Sequence, residues 1–425
     1  MVMRVGEINT VSKVFYSPLV RAYDKARDKR DCAEFSDEHF LRAGVGRCLN
    51  DVRSGRDWIQ KAMMVLMLPI TVSRFFLSLK SERRLNFLGS VAKCVQCEVD
   101  KKASASDDPF SGHAELNGFG IYAADGHYHG SSSHEETIEG KCYPVGHYYS
   151  MNLRTQSILH LDVARPKHKR EHEITALKRL EANALRMGEP KGKKVILAYD
   201  SAIYDFLQWK KWKQSKGIYI ITLMKENTCL QNCSDREFDL KDPRNNGILS
   251  DQIGKTKNGV ILRKIVYIDP SLGKVFTFLT NEMTLPPGLI AFIYKKRWDI
   301  EKVFDQFKNK LMEKKAWAKS PNSKCVQAKF MALTHNLILL LERKIEVEEG
   351  ISDIKIEKKK QQRINEDLKK IRKAGRKENP LVKKPYKAVQ RSFQFLRWLR
   401  HSLLLETSWR PAIDALRPLM MAYLS

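Results

Sequence analysis

The sequence predicts an α/β fold: a mixed sheet with flanking helices, interrupted by a β-rich stretch and bracketed by helical regions at both ends. Two observations carry this. Apolar residues recur at helical spacing up to about residue 110 and again from Leu289, while short apolar or alternating runs, with two helical stretches among them, occupy 119–280. The 425 residues are 43% hydrophobic, enough for cores in two or three domains. They also hold 76 Lys and Arg against 49 Asp and Glu, a formal charge of +27 and a pI near 9.7. That excess is more than solubility asks for and predicts a polyanionic partner.

Other classes are disfavoured. The longest apolar candidate for a span, residues 62–70, is short and broken by Pro69. The first ten residues lack the charged region, apolar run and small-residue site of a secretory signal, so a cytoplasmic location is expected. Of eight cysteines only Cys94 and Cys97 form a C-x2-C pair, with no second pair to complete a zinc site; buried reduced thiols are the expectation.

The elements follow in order. Phe40, Leu41, Val45, Leu49 and Val52 share a helical face, as do residues in 58–79 and then Leu85, Phe87, Leu88 and Val91. Residues 101–118, rich in Ser, Asp, Pro and Gly, read as a linker. A strand is expected over 119–124, and alternating runs at 148–154 and 158–164 read as a hairpin across Thr155-Gln156-Ser157. Helical spacing over 169–187 leads to the continuous apolar run 195–199, a strand covered on both faces. Ser201 is the expected N-cap of the next helix, with Ile203, Phe206 and Leu207 apolar. Strands at 218–224, 260–268 and 274–280, separated by turns, make the β-rich stretch, and helices resume over 289–341. Residues 355–384 hold 13 Lys and Arg against four Asp and Glu, a solvated helix or a phosphate-contacting one. Residues 390–424 read as a closing helical element.

Chemistry concentrates at Tyr294, Arg297, Glu301 and Lys308. At about 100° per residue these four fall within a stripe of about 60°, beside the apolar face of Ile300, Val303, Phe304, Phe307 and Leu311. The core would anchor that helix and hold the polar stripe at a rim. Taken alone the stripe is equally a surface ion-pair ladder.

The spacing Y-x2-R-x3-E-x6-K, however, resembles the signature around the glutamate of bacterial insertion-sequence transposases of the DDE type. Four fixed identities at roughly 5% usage coincide by chance in only about one chain in a few hundred. Two more carboxylates sit where the resemblance requires them: Asp125, after Gly-Ile-Tyr-Ala-Ala, and Asp200, after Val-Ile-Leu-Ala-Tyr. The family has an RNase H-like core with one acid on the first strand, one just past the fourth and the glutamate on a later helix, with a β-strand insertion before it. The resemblance spans residues 125–341. It divides the chain into a helical DNA-binding region (1–110), the first part of the core (111–216), the insertion (217–287), the glutamate helix and its successor (288–345), and a basic linker with a helical end (346–425).

The resemblance implies that Asp125, Asp200 and Glu301 hold two Mg²⁺ ions, for which Mn²⁺ can substitute, and that Arg297, Lys308 and Tyr294 hold phosphates near the scissile bond. Trp298, beside the stripe, either stacks on an unpaired base or packs against the insertion; Trp209, Trp212 and Trp317 pose the same choice, with packing the commoner case. It further implies a transposase that binds terminal inverted repeats, cleaves at the element ends and transfers the 3′ ends to target DNA. It would act as a homodimer in a synaptic complex, in the bacterial cytoplasm with the nucleoid. A catalytically inactive DNA-binding protein and an RNase H-like structure-specific nuclease are the alternatives. Other roles are open for each acid: Asp125 before Gly126 suits a turn, Asp200 suits a helix cap, and Asp162 is a rival strand acid. His127, His129 and His134 are read as loop residues, where many relatives carry a small hydroxyl residue after the Asp-Gly.

Overall fold

Alternation along the strands sorts the molecule into layers. The computed structural model describes residues 9–421 other than 29–33, 51–53, 66–69, 136, 138–139, 166–170 and 384. The amino-terminal region forms α1 (Val11–Ala26), α2 (Asp37–Leu49), α3 (Gly55–Val65), α4 (Val72–Lys80) and α5 (Glu82–Lys101). Thr10, Ser36, Thr71 and Ser81 cap four of them by accepting a backbone N–H three residues on.

The sheet begins with β1 (Phe119–His129), β2 (Val145–Asn152) and β3 (Ile158–Val163), an antiparallel meander. Short helices α6 (Glu173–Arg179) and α7 (Ala182–Leu185) lead to β4 (Lys194–Ala198), α8 (Phe206–Lys216) and β5 (Ile218–Leu223). Then come β6 (Gln231–Asp235), β7 (Ile248–Lys255), β8 (Ile261–Ile268) and β9 (Val275–Thr280). Among the described residues all nine strands join in one sheet, ordered β3-β2-β1-β4-β5-β9-β8-β7-β6. The β1–β4 and β4–β5 pairs are parallel and the others antiparallel.

Ile121, Ala123, Ile196, Ala198, Ile221 and Phe278 face one core, shared with helices from both ends of the chain; Tyr122, Ala124, Val195, Leu197, Ile220 and Leu279 face the other, under α6, α7 and α8. The helices after the sheet are α9 (Pro287–Lys310), α10 (Pro321–Glu349), α11 (Ile354–Lys373), α12 (Pro380–Lys383), α13 (Phe393–Leu404) and α14 (Trp409–Met421). Of these, α9 lies along β1 and α10 along β3. The mixed sheet between helical layers, with helical regions at both ends, is the expected fold class.

Several local expectations change. β1 continues five residues past Ala124, because β2 goes on pairing with it: Asp125 is opposite Tyr149 and Gly126 opposite Tyr148, so the Asp-Gly pair is in a strand and not a turn. The helix expected over 169–187 is two short ones, separated by extended Leu180; residues 169 and 170 lie outside those described. Asp205, not Ser201, caps α8, accepting the Gln208 N–H, and Ser201 and Ala202 form a turn before it. β6 and β7 occupy a stretch read as turns, since β6 is a fully exposed edge strand and β7 only half-buried, with no apolar run. Cys97, Cys142, Cys229 and Cys233 are exposed, against the expectation of buried thiols; Cys32 lies outside the described residues. No helix of the described residues is long and apolar enough to cross a membrane.

Candidate active site

The register of β1 and β4 decides where two acids meet. The last parallel pair is Ala123 with Ala198, and β4 ends there. Two residues further along each chain come Asp125 and Asp200. Alternation sends Asp125 to the sheet face of the two alanines, and Asp200, just past the end of β4, lies near enough to act on its carboxyl. Because β4 has stopped, the edge of β1 beyond Ala123 is open on that side. Asp200 is fixed by a turn: its Oδ1 accepts the Ala202 N–H at 2.8 Å, and its carbonyl accepts the Thr222 hydroxyl of β5 at 2.6 Å.

The third acid arrives on α9, which crosses this face. Arg297 donates to Asp125 Oδ2 at 3.2 Å and to Glu301 Oε1 at 2.8 Å, joining strand and helix. The guanidinium is buried, with 4% of its side chain exposed, whereas Asp125 shows 14% and Glu301 39%. The stripe expected at a rim is thus graded: Arg297 lies beneath the acids because its long side chain reaches inward to them, and Glu301 opens outward. Tyr294 is also buried, its ring 5.1 Å from that of Phe278 and 5.4 Å from the Arg297 guanidinium carbon. Burial pushes its phenol up to about 12, with Arg297 acting the other way.

Burial also raises the Asp125 carboxyl to about 6; Arg297 lowers it, while Asp200 and Glu301 raise it again. Crowded carboxylates of this kind form a site that attracts cations. Three hard oxygen donors suit Mg²⁺ or Mn²⁺, so the residues fit a divalent ion by chemistry. Here Arg297 supplies the positive charge between two of them, and no group of three acids, histidines or cysteines among the described residues is already drawn in to metal-binding distance.

Lys308 and Trp298 stand apart from the cluster. Lys308 is exposed nearly two turns beyond Glu301. Trp298 is 54% exposed, its ring 5.2 Å from the Arg297 guanidinium carbon; Trp209 and Trp212 are core residues, and Trp317 stacks on Phe330. Asp162 is held by Arg179 at 2.7 Å on the edge strand β3, two strands from Asp125.

The histidines are the main surprise. His127 and His129 are buried on β1, on the face of Asp125, and only His134 is an exposed loop residue. His127 Nε2 lies 3.0 Å from Glu313 Oε2, and its ring stacks on Phe304 at 4.8 Å. His129 Nδ1 faces the Gly130 carbonyl at 2.9 Å and so must donate; its Nε2 lies 3.0 Å from His147 Nε2, whose Nδ1 lies 3.3 Å from His160 Nε2. Burial holds His147 and His160 well below the ordinary imidazole range. Extending the alternation Asp125, His127, His129 past the Asp-Gly pair was the signal that could have found them.

Helices on both faces of a mixed sheet, with one acid on β1 beyond its pairing with β4, a second just past the end of β4 and a third on a crossing helix, define an RNase H-like core. Residues 121–337, just over half of the chain, match the family model of the transposase DDE domain, and the protein belongs to that family of transposases. Membership carries a DNA substrate and divalent-metal chemistry with it. No curated protein matches the chain.

Proposed function

We propose that the protein binds the terminal inverted repeats of an insertion sequence, cleaves DNA at the element ends and transfers the freed 3′ ends into target DNA, with Asp125, Asp200 and Glu301 as the catalytic acids. The observation that carries this reading is the joining of Asp125 and Glu301 through buried Arg297, beside the turn that holds Asp200. The three carboxylates would hold two Mg²⁺ ions. When bound, such ions neutralise the charge that gathers on a phosphodiester under in-line attack.

The chain's own residues do the positioning. Arg297, buried beneath Asp125 and Glu301 and flanked by the Tyr294 ring, holds the two acids in place, and a phosphate drawn in beside them would take one arm of its fork. Lys308 places a point charge further along α9, and exposed Trp298 offers a face for an unpaired base. Buried Tyr294, its hydroxyl protonated throughout the neutral range, supports Arg297 from below. The helical region 1–110 and the basic run 355–384, whose residue 384 lies outside those described, would carry sequence-reading and backbone contacts. Two copies would act together on paired ends.

The test is Mg²⁺-dependent nicking of DNA that carries the element ends. Asp200→Asn is expected to cut more than about 100-fold more slowly, beyond the loss typical of an outer-shell partner, while still binding the DNA. Wild-type nicking by the variant, or bound and protected ends that the wild-type protein never cuts, would refute it.

A further inference from the structure

We propose that His127 and Glu313 form a clasp that fixes the separation of Asp125 from Glu301, so that both are positioning residues for the acids. The proposal rests on the DNA-cleavage reading above and deepens it. Arg297 links Asp125 and Glu301 through carboxylate oxygens for which a cation would compete, so a second tie between strand and helix is needed when the site is loaded.

The clasp lies one step along from the acids. His127 follows Asp125 by two residues on the same face of β1, about 7 Å along the strand. Phe304 follows Glu301 by three residues on α9, about 4.5 Å along the helix. The His127 ring stacks on Phe304, with centroids 4.8 Å apart and 27° between the planes, and its Nε2 lies 3.0 Å from Glu313 Oε2. Glu313 is fixed in turn: its N–H donates to the Phe307 carbonyl at 3.0 Å, and its Oε1 accepts from Gln327 Nε2 at 3.4 Å. The strand thus grips the helix through a ring and the turn closing that helix through a carboxylate. Backbone bonds continue the junction, since the Gly130 N–H donates to the Lys314 carbonyl at 3.1 Å and its carbonyl accepts the Ala316 N–H at 2.9 Å.

Both side chains are in the interior, His127 7% and Glu313 2% exposed. Burial acts to raise the Glu313 carboxyl, but the His127 hydrogen bond and the neighbouring imidazoles outweigh it and hold it below the ordinary range. Glu313 is therefore the acceptor, and His127 Nε2–H donates. Burying such a pair costs solvation that apolar side chains would not lose, and a phenylalanine at 127 could keep the stack. What the polar pair adds is a single geometry. Stacked rings can slide, whereas a hydrogen bond to a carboxylate tied at its other oxygen cannot, and a metal site needs its ligands held within about 0.5 Å.

The experiment compares the full chain with His127→Phe, which keeps the stack and removes the donor, and with His127→Gln, whose amide restores a donor near the Nε2 position. Mn²⁺ alone is the probe, its binding read from the spin-resonance signal of the free ion. His127→Phe is expected to bind Mn²⁺ about 10- to 100-fold more weakly, as when a partner behind a metal ligand is lost, with affinity for duplex DNA in EDTA unchanged. His127→Gln should recover most of the loss. In metal-free protein, backbone hydrogen exchange over 297–307 should speed on the order of tenfold in His127→Phe, while α8 on the other sheet face exchanges as in wild type. Glu313→Met, which removes the acceptor instead, stands in if His127→Phe does not fold. Exchange like that of wild type in the variant, Mn²⁺ affinity equal to that of wild type, or an equal loss in His127→Gln overturns the clasp. A wild-type protein that neither holds Mn²⁺ nor nicks DNA would sink the cleavage reading, and the exchange alone would then decide the clasp.

Discussion

At Asp125, burial and two neighbouring carboxylates outweigh the Arg297 guanidinium, so the folded protein binds a proton there up to about pH 6, where the ordinary value is 3.8. Between those two values the native state holds more protons than the unfolded chain. For a carboxyl raised in this way, stability is greatest below the lower value and is lost as pH rises through the upper one. Asp125→Asn removes the penalty, and Arg297 keeps Glu301 as a partner. Metal-free Asp125→Asn protein should therefore resist urea better than wild type at pH 7, by about 1–3 kcal/mol, and the advantage should fade below about pH 4. Urea midpoints at the two pH values check this; equal stability at pH 7 would mean that Arg297 fully compensates the crowding. A site that costs stability when empty is one arranged for a cation.

The helix that brings Glu301 to the strands is seated by its first turn. A Cβ on Gly288 would come 2.0 Å from the Arg244 backbone oxygen, and the Gly288 N–H donates to Asn245 Oδ1 at 3.0 Å. Backbone cannot yield as a flexible side chain can, so Gly288→Ala must move the start of α9. The expected cost is about 1–3 kcal/mol of stability. Arg297 and Glu301 ride on the same helix, so the rate of nicking at saturating DNA should fall as well. Thermal unfolding and single-turnover cleavage check both, and a variant with wild-type values of each would show that the helix is not seated there. The period of α9 was readable from Tyr294, Arg297 and Glu301, and so was its apolar side. Its depth was not, because burial of Arg297 depends on β1 and Asp125 lying across it. Asp125 and Asp200 were recognisable beside their apolar runs. The continuation of β1 to His129 was not, since pairing with β2, a contact between segments apart in sequence, overrides the turn preference of Asp-Gly.

Across the whole molecule, α10 ties the amino-terminal helices to the sheet. It packs on α1, α2, α4 and α5 on one side and on β3 on the other. Its Arg343 donates to the carbonyls of Val99 at 2.8 Å and Thr155 at 2.7 Å, one in α5 and one in the β2–β3 turn. Buried Asn336 acts as an extra strand partner for β3: its Oδ1 accepts the Ile158 N–H at 3.0 Å and its Nδ2 donates to the Ile158 carbonyl at 2.9 Å. Asn336→Ala would leave both backbone groups of Ile158 unpaired and away from water, at a cost of about 2–4 kcal/mol. Because α10 serves both sides, the loss should lower the stability of sheet and amino-terminal helices together. Trp58 in α3 and Trp209 in α8 can report on the two parts through single-tryptophan variants. Their urea transitions should coincide in wild type and shift by the same amount in Asn336→Ala. Separate midpoints, or a shift confined to the Trp209 reporter, would show that the helical region is not coupled to the core through α10. Coincident shifts would mean that a region positioned to bind DNA and the acids proposed to cut it are held in one cooperative body, so that strain on bound DNA can be borne at the site without local unfolding.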